Sequence, residues 1–130
     1  MKNELEVKAE GLVTVIEQNG IGEVIKPLVS EIHLFDTYVA GTSHLQDNTP
    51  LFELNGGDRL ILKREDNRYD DRAILILDQQ GRKLGYVPEK DNLIYSRLMD
   101  AGKLLIARVN DVQDMVYFVK IGISIYLVDY

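Results

Sequence analysis

Residues 73–88 read Ala-Ile-Leu-Ile-Leu-Asp-Gln-Gln-Gly-Arg-Lys-Leu-Gly-Tyr-Val-Pro. The apolar run at 74–77 is a short strand, Gln80-Gly81 supplies a turn, and residues 83–87 return as a second strand that Pro88 ends. Immediately upstream stands Asn67-Arg68-Tyr69-Asp70-Asp71-Arg72. The hairpin therefore brings a polar Tyr-Asp loop close to the aromatic tip Gly85-Tyr86. An aromatic face, a carboxylate and several arginines can then share one small pocket.

Working outward, residues 31–40 are strand-like up to Gly41, and Asp47-Asn48-Thr49-Pro50 marks a loop. Asn55-Gly56-Gly57-Asp58 is a turn before the short strand Leu60-Ile61-Leu62. Asp91 is placed as an N-cap, and Leu93, Ile94, Leu98 and Ala101 give the apolar face of one helix, which Gly102 ends. Residues 104–109 form another strand. The stretch 115–128 is strand-rich, with alternation at Val119, Ile121, Ile123 and Ile125. Leu5, Ala9, Leu12 and Ile16 trace a helical face in a segment of different character. Residues 1–30 are read as an N-terminal extension and 31–130 as the domain. The expected fold is mostly β, a small barrel of about six strands with one internal helix. That helix is expected to pack through Leu93, Ile94 and Leu98.

Composition narrows the chemistry. The chain has 130 residues and no cysteine, so disulfides, thiolate catalysis and cysteine-based zinc sites are excluded. Its two histidines, His33 and His44, show no metal-ligand spacing. No apolar run approaches the roughly 18 residues of a membrane span. The first residues carry acids where a signal peptide is apolar, which gives a cytoplasmic expectation. No glycine-rich loop is followed by Lys-Ser or Lys-Thr, so there is no phosphate loop. Net charge is −6, yet residues 59–108 hold eleven Lys+Arg against eight Asp+Glu, a local +3. That middle segment is the part whose charge suits a phosphate.

The ordered series Phe35-Asp36-Thr37-Tyr38-Val39-Ala40-Gly41-Thr42, Gly57-Asp58-Arg59-Leu60, Lys63-Arg64-Glu65, Asp66-Asn67-Arg68-Tyr69-Asp70, Ala73-Ile74, Leu84-Gly85-Tyr86-Val87-Pro88 and Asp100-Ala101-Gly102-Lys103 resembles the HIRAN domain, in its stand-alone bacterial form. The resemblance implies an OB-like β-barrel. It also implies a pocket for the 3′-hydroxyl end of single-stranded DNA, work in DNA repair or processing, and a helicase or nuclease partner. Tyr69 and Asp70 match the family's Tyr-Asp pair, Asn67 the preceding asparagine, and Tyr86 an aromatic-or-histidine position. His44 falls where DNA-binding members have an arginine followed by aromatics. Ser43 stands at the arginine position, Leu45 at a tyrosine position and Glu89 at a lysine position, with Lys90 adjacent.

On this reading Asp70 accepts a hydrogen bond from a terminal hydroxyl, which an internal nucleotide lacks. Tyr69, Tyr86 or His44 offers a face for a base, and Lys63, Arg64, Arg68 and Lys90 are candidates for phosphates. Each residue also has a structural reading. Asp70 can form an Asx-turn, Tyr69 can pack over the barrel end, and Tyr86 can be a cross-strand aromatic. The expected protein is a non-enzymatic nucleic-acid end binder without a cofactor. The alternative is a protein–protein adaptor with a vestigial pocket. A third reading, a metal-dependent nuclease, has only the contiguous acids Glu65, Asp66, Asp70 and Asp71, interleaved with Arg64, Arg68 and Arg72.

Overall fold

The computed structural model describes residues 30–129. The helical face expected at Leu5–Ile16, and with it the extension of residues 1–30, lies outside them except for Ser30. In chain order the strands are β1 (Ser30–Tyr38), β2 (Arg59–Arg64), β3 (Ile74–Leu77), β4 (Lys83–Tyr86), β5 (Leu104–Asp114) and β6 (Val119–Asp129). A 3-10 turn, Thr42–His44, and a one-turn helix α1, Thr49–Phe52, follow β1; helix α2, Asn92–Asp100, follows β4. The six strands make one sheet in the order β1-β6-β5-β2-β3-β4. β2 pairs antiparallel with β3 and β5, and β3 with β4.

The sheet curls around an inner face that is apolar on β2 to β6. Leu60 and Leu62 on β2, Ile74 and Ile76 on β3, and Leu84 on β4 are buried, as are Leu105, Ala107 and Val109 on β5 and Ile121, Ile123 and Ile125 on β6. These residues form one core cluster. Alternation sends Arg59, Ile61 and Lys63 to the other face of β2. Ladders do not close the barrel. Its edge strands meet at a single bridge just beyond β1, between Ala40 and Tyr86. The Ala40 amide donates to the Tyr86 carbonyl at 2.7 Å, and the Tyr86 amide to the Ala40 carbonyl at 2.9 Å. Gly85 makes this approach possible. A Cβ there would stand 2.3 Å from the Ala40 carbonyl oxygen and 2.6 Å from Val39 Cγ1. The loose OB-like barrel thus has a narrow seam.

Two local expectations change. The face that α2 turns inward carries Asn92 and Ser96, both buried, with Tyr95, Leu98 and Met99 against the core. Leu93 and Ile94 are 39% and 65% exposed. Of the expected trio only Leu98 packs inward, because the buried amide of Asn92 is anchored to a loop carboxylate and sets the helix's rotation. Asp91 does occupy the N-cap, but its side chain caps nothing. Its carboxylate accepts from Thr37 Oγ1 at 2.8 Å, tying helix to β1. The C-terminal end follows expectation. Gly102 takes φ +94°, its amide reaches the Met99 carbonyl and the Lys103 amide the Leu98 carbonyl, a Schellman closure. Residues 115–118, read as strand, are the tip of the β5–β6 hairpin, where the Met115 amide donates to the Phe118 carbonyl at 2.8 Å. No helix among the described residues is long and apolar enough to cross a membrane.

Candidate nucleic-acid interface

The loop between β2 and β3 is built around Asn67. Its side-chain oxygen accepts from the Tyr69 amide at 2.9 Å and the Asp70 amide at 2.8 Å. Asn67 therefore holds the Tyr-Asp backbone in place, as an Asx-type turn does. Its Nδ2 donates to Glu65 Oε1 at 3.1 Å. The same Glu65 oxygen accepts the Tyr86 hydroxyl at 2.7 Å. The Tyr86 hydroxyl first, and then Asn67, hold the Glu65 carboxyl below its usual range; the same bond and burial push the Tyr86 phenol up. The loop and the open end of the β3–β4 hairpin, away from its turn at residues 78–82, are thus joined through one carboxylate.

These contacts frame a pocket of about 320 Å³ on the seam. Asn67, Tyr69, Asp70, Tyr86 and Glu89 contribute its polar lining. Ala40, Ala73 and Val87 contribute apolar wall. The Tyr69 side chain is 86% exposed, with the Arg68 guanidinium 5.5 Å from its ring centroid. Lys83 Nζ lies 4.7 Å from the Tyr86 centroid.

Asp70 is largely buried, with its side chain 14% exposed. Its Oδ1 accepts from the Arg72 amide at 2.9 Å, and its Oδ2 from Asn92 Nδ2 at 2.9 Å. The Asx-turn and a tie to α2 both exist. A carboxylate has about four lone-pair sites, so two bonds leave it acceptor capacity toward the pocket.

Four of the eight residues singled out from sequence, Asn67, Tyr69, Asp70 and Tyr86, meet in this pocket, and Arg68 flanks it. The other three lie elsewhere. His44 lines a separate pocket with Arg82 and Lys83. Lys90 contacts Asp91 at 3.2 Å, lies 5.6 Å from the Tyr38 ring centroid, and borders a third pocket. Arg64 is committed to structure. It reaches the Asp100 carboxylate at 2.9 and 3.2 Å, the Ala73 carbonyl at 2.6 Å and the Asp71 carbonyl at 2.8 Å. Leu45 packs on the core. Sequence reasoning passed over Lys83 and Asn92, and read Glu65 only as one acid of a candidate metal cluster. Strand alternation puts Lys83 and Tyr86 on opposite faces, and a register shift in the β3–β4 pairing brings them onto one side. Among the described residues no group of three or more His, Asp or Glu is placed to hold a metal ion.

A crystal structure of a protein from Lactobacillus plantarum superposes with a TM-score of 0.72 and 28% identity, over 78% of this chain and 99% of that one. The crystal structure of the HIRAN domain of human HLTF superposes with a TM-score of 0.62 and 16% identity, over 77% of this chain and 78% of that one. No curated protein matches. The HIRAN domain family model matches residues 32–128, three-quarters of the chain, and the chain belongs to the HIRAN domain family.

Proposed function

We propose that this chain is a non-catalytic reader of single-stranded DNA ends, and that it captures a terminal 3′-hydroxyl at Asp70. Family membership implies nucleic-acid binding. The observation that carries the finer reading is the convergence of Tyr69, Asp70, Asn67 and Tyr86 on one pocket. The hydroxyl donates to a free lone pair of Asp70, and the terminal base lies against the exposed Tyr69 ring. A 3′-phosphate brings negative charge toward Asp70 and Glu89, and is rejected. Such a reader suits DNA repair or processing in the cytoplasm, delivering ends to a helicase or nuclease.

Fluorescence anisotropy with strands ending in 3′-hydroxyl or 3′-phosphate tests this. Tighter binding of the hydroxyl end is expected, and equal affinities would remove the reading. A second reading, a protein–protein adaptor with a vestigial pocket, is favoured by one observation: both Asp70 oxygens already serve the fold. It predicts no preference between ends.

A further inference from the structure

The basic surplus of the middle segment has a definite place in the fold. In the antiparallel ladders, Lys63 of β2 lies opposite Leu75 of β3, which lies opposite Tyr86 of β4. One step along, Ile61 lies opposite Leu77, and Leu77 opposite Lys83. One step further, Arg59 lies opposite Arg108 of β5. All belong to the outward rows, since their neighbours Leu60, Leu62, Ile74, Ile76 and Leu84 are in the core.

Arg59, Ile61, Lys63 and Lys83 are exposed, and Leu75, Leu77, Tyr86 and Arg108 are half-buried. The outer face of β2–β4 is thus an apolar floor edged by four cations, with rows roughly 7 Å apart. Arg64, Arg72 and Arg82 lie against carboxylates. Among the described residues the side chains of Arg59 and Lys63 hold no ion pair. The first row ends at Tyr86, which also lines the end pocket.

We infer that this face is a backbone track: Arg59, Lys63 and Lys83 contact successive phosphates of the strand whose end occupies the Tyr69–Asp70 pocket. The inference rests on the end-binding reading for its starting point. Two observations select the occupant. One is charge, four cations gathered on one face of a chain whose net charge is −6. The other is continuity, through Tyr86, with the pocket. A flexible polyanion is the partner that a cation-edged sheet face can follow over several rows, and single-stranded DNA supplies it.

The test uses the full chain and 3′-hydroxyl DNA strands of three and nine nucleotides, with affinity followed against salt. Wild-type protein should bind the longer strand more tightly. Arg59→Gln/Lys63→Gln should lower the magnitude of the salt slope by about 1.4 and remove most of the length gain, at about 0.7 for each phosphate contact on a single strand. Adding Lys83→Gln should bring the loss to about 2. The double variant should keep its preference for hydroxyl over phosphate ends, and an unchanged melting temperature confirms that it is folded. Equal wild-type affinity for short and long strands, or an undiminished slope in the folded double variant, would overturn the track. A length gain and slope that respond as expected, without any end preference, would support the track and refute the end pocket.

Discussion

Replacing Asp70 by asparagine separates the fold's use of this side chain from the ligand's. The carboxylate accepts from the Arg72 amide and from Asn92 Nδ2, each at 2.9 Å, and Asn92 is fully buried. An asparagine at position 70 has one oxygen, so one of these donors must meet an NH₂ group. Asn92 can answer by rotating its amide, because its Oδ1 is buried and has no partner. It then accepts from the new NH₂, and its own NH₂ is stranded where the oxygen was. A charge-assisted bond of about 1.5–3 kcal/mol becomes a neutral one of about 0.5–1.5, so the loss is about 1–2 kcal/mol. For a domain of this size that lowers Tm by roughly 4–8 °C. Asp70→Ala strands Asn92 outright and should cost about 2–4 kcal/mol. Thermal denaturation of both variants measures this, with Asn92→Ala completing a double-mutant cycle. On the binding side, Asp70→Asn should cut the hydroxyl-over-phosphate preference by roughly 10- to 150-fold. Unshifted Tm values, or an additive cycle, would refute the structural half of the reasoning. A destabilised Asp70→Asn that still tells the two ends apart would refute the functional half.

The other expectations are narrower. Gly85→Ala should cost about 1–3 kcal/mol of backbone strain and a similar amount of overpacking against Ala40 and Val39, with hydrogen exchange accelerated first at the Ala40 and Tyr86 amides. Glu65 has a depressed pKa in the fold, so its contribution is present above the unfolded value of about 4.3 and is lost as pH falls through the lower folded value. Tyr86→Phe removes the largest cause, so Tm against pH should fall less steeply between about pH 5 and pH 3 than in wild type. Asp78→Ala should lower the urea midpoint by the equivalent of about 2–4 kcal/mol, because this buried carboxylate accepts from the Gln80 amide at 3.0 Å, the Arg82 amide at 2.8 Å and Arg82 Nε at 2.7 Å. Arg64→Gln should lower Tm and leave the salt slope of DNA binding unchanged, since that guanidinium is bound within the fold.

The sequence was legible where one physical rule governs one residue. Alternation at Val119, Ile121, Ile123 and Ile125 marked an inward row, and Gly81 and Gly102 marked a turn and a helix end. It misled where a rule has two outcomes. Met115, Val116, Tyr117 and Phe118 favour strands by chemistry, yet residues 115–118 turn the chain, with Val116 and Tyr117 86% and 89% exposed. The face of α2 went astray because a buried Asn92 has no apolar signature. The pocket's aromatic and acidic members were legible because their order along the chain matches a family. Its cations were legible only in part, since Arg68 flanks the pocket but Arg64 and Lys90 do not. Arg64 and Lys63 are sequence neighbours on opposite faces of one strand, and only the structure shows that Arg64 is bound by Asp100.

The Ala40–Tyr86 bridge gives the pocket a thermodynamic reach beyond its own walls. Two backbone hydrogen bonds hold the edge strands together there, whereas elsewhere the sheet is secured by whole ladders. The pocket straddles this stitch, with Ala40 on one lip and Tyr86 and Val87 on the other. A molecule seated across both lips favours the stitched state over the parted one. It lengthens the lifetime of two particular amide protons by the reciprocal of the fraction of molecules left empty. Ala40 and Tyr86 are therefore built-in gauges, and their exchange rates read how full the pocket is, whatever fills it.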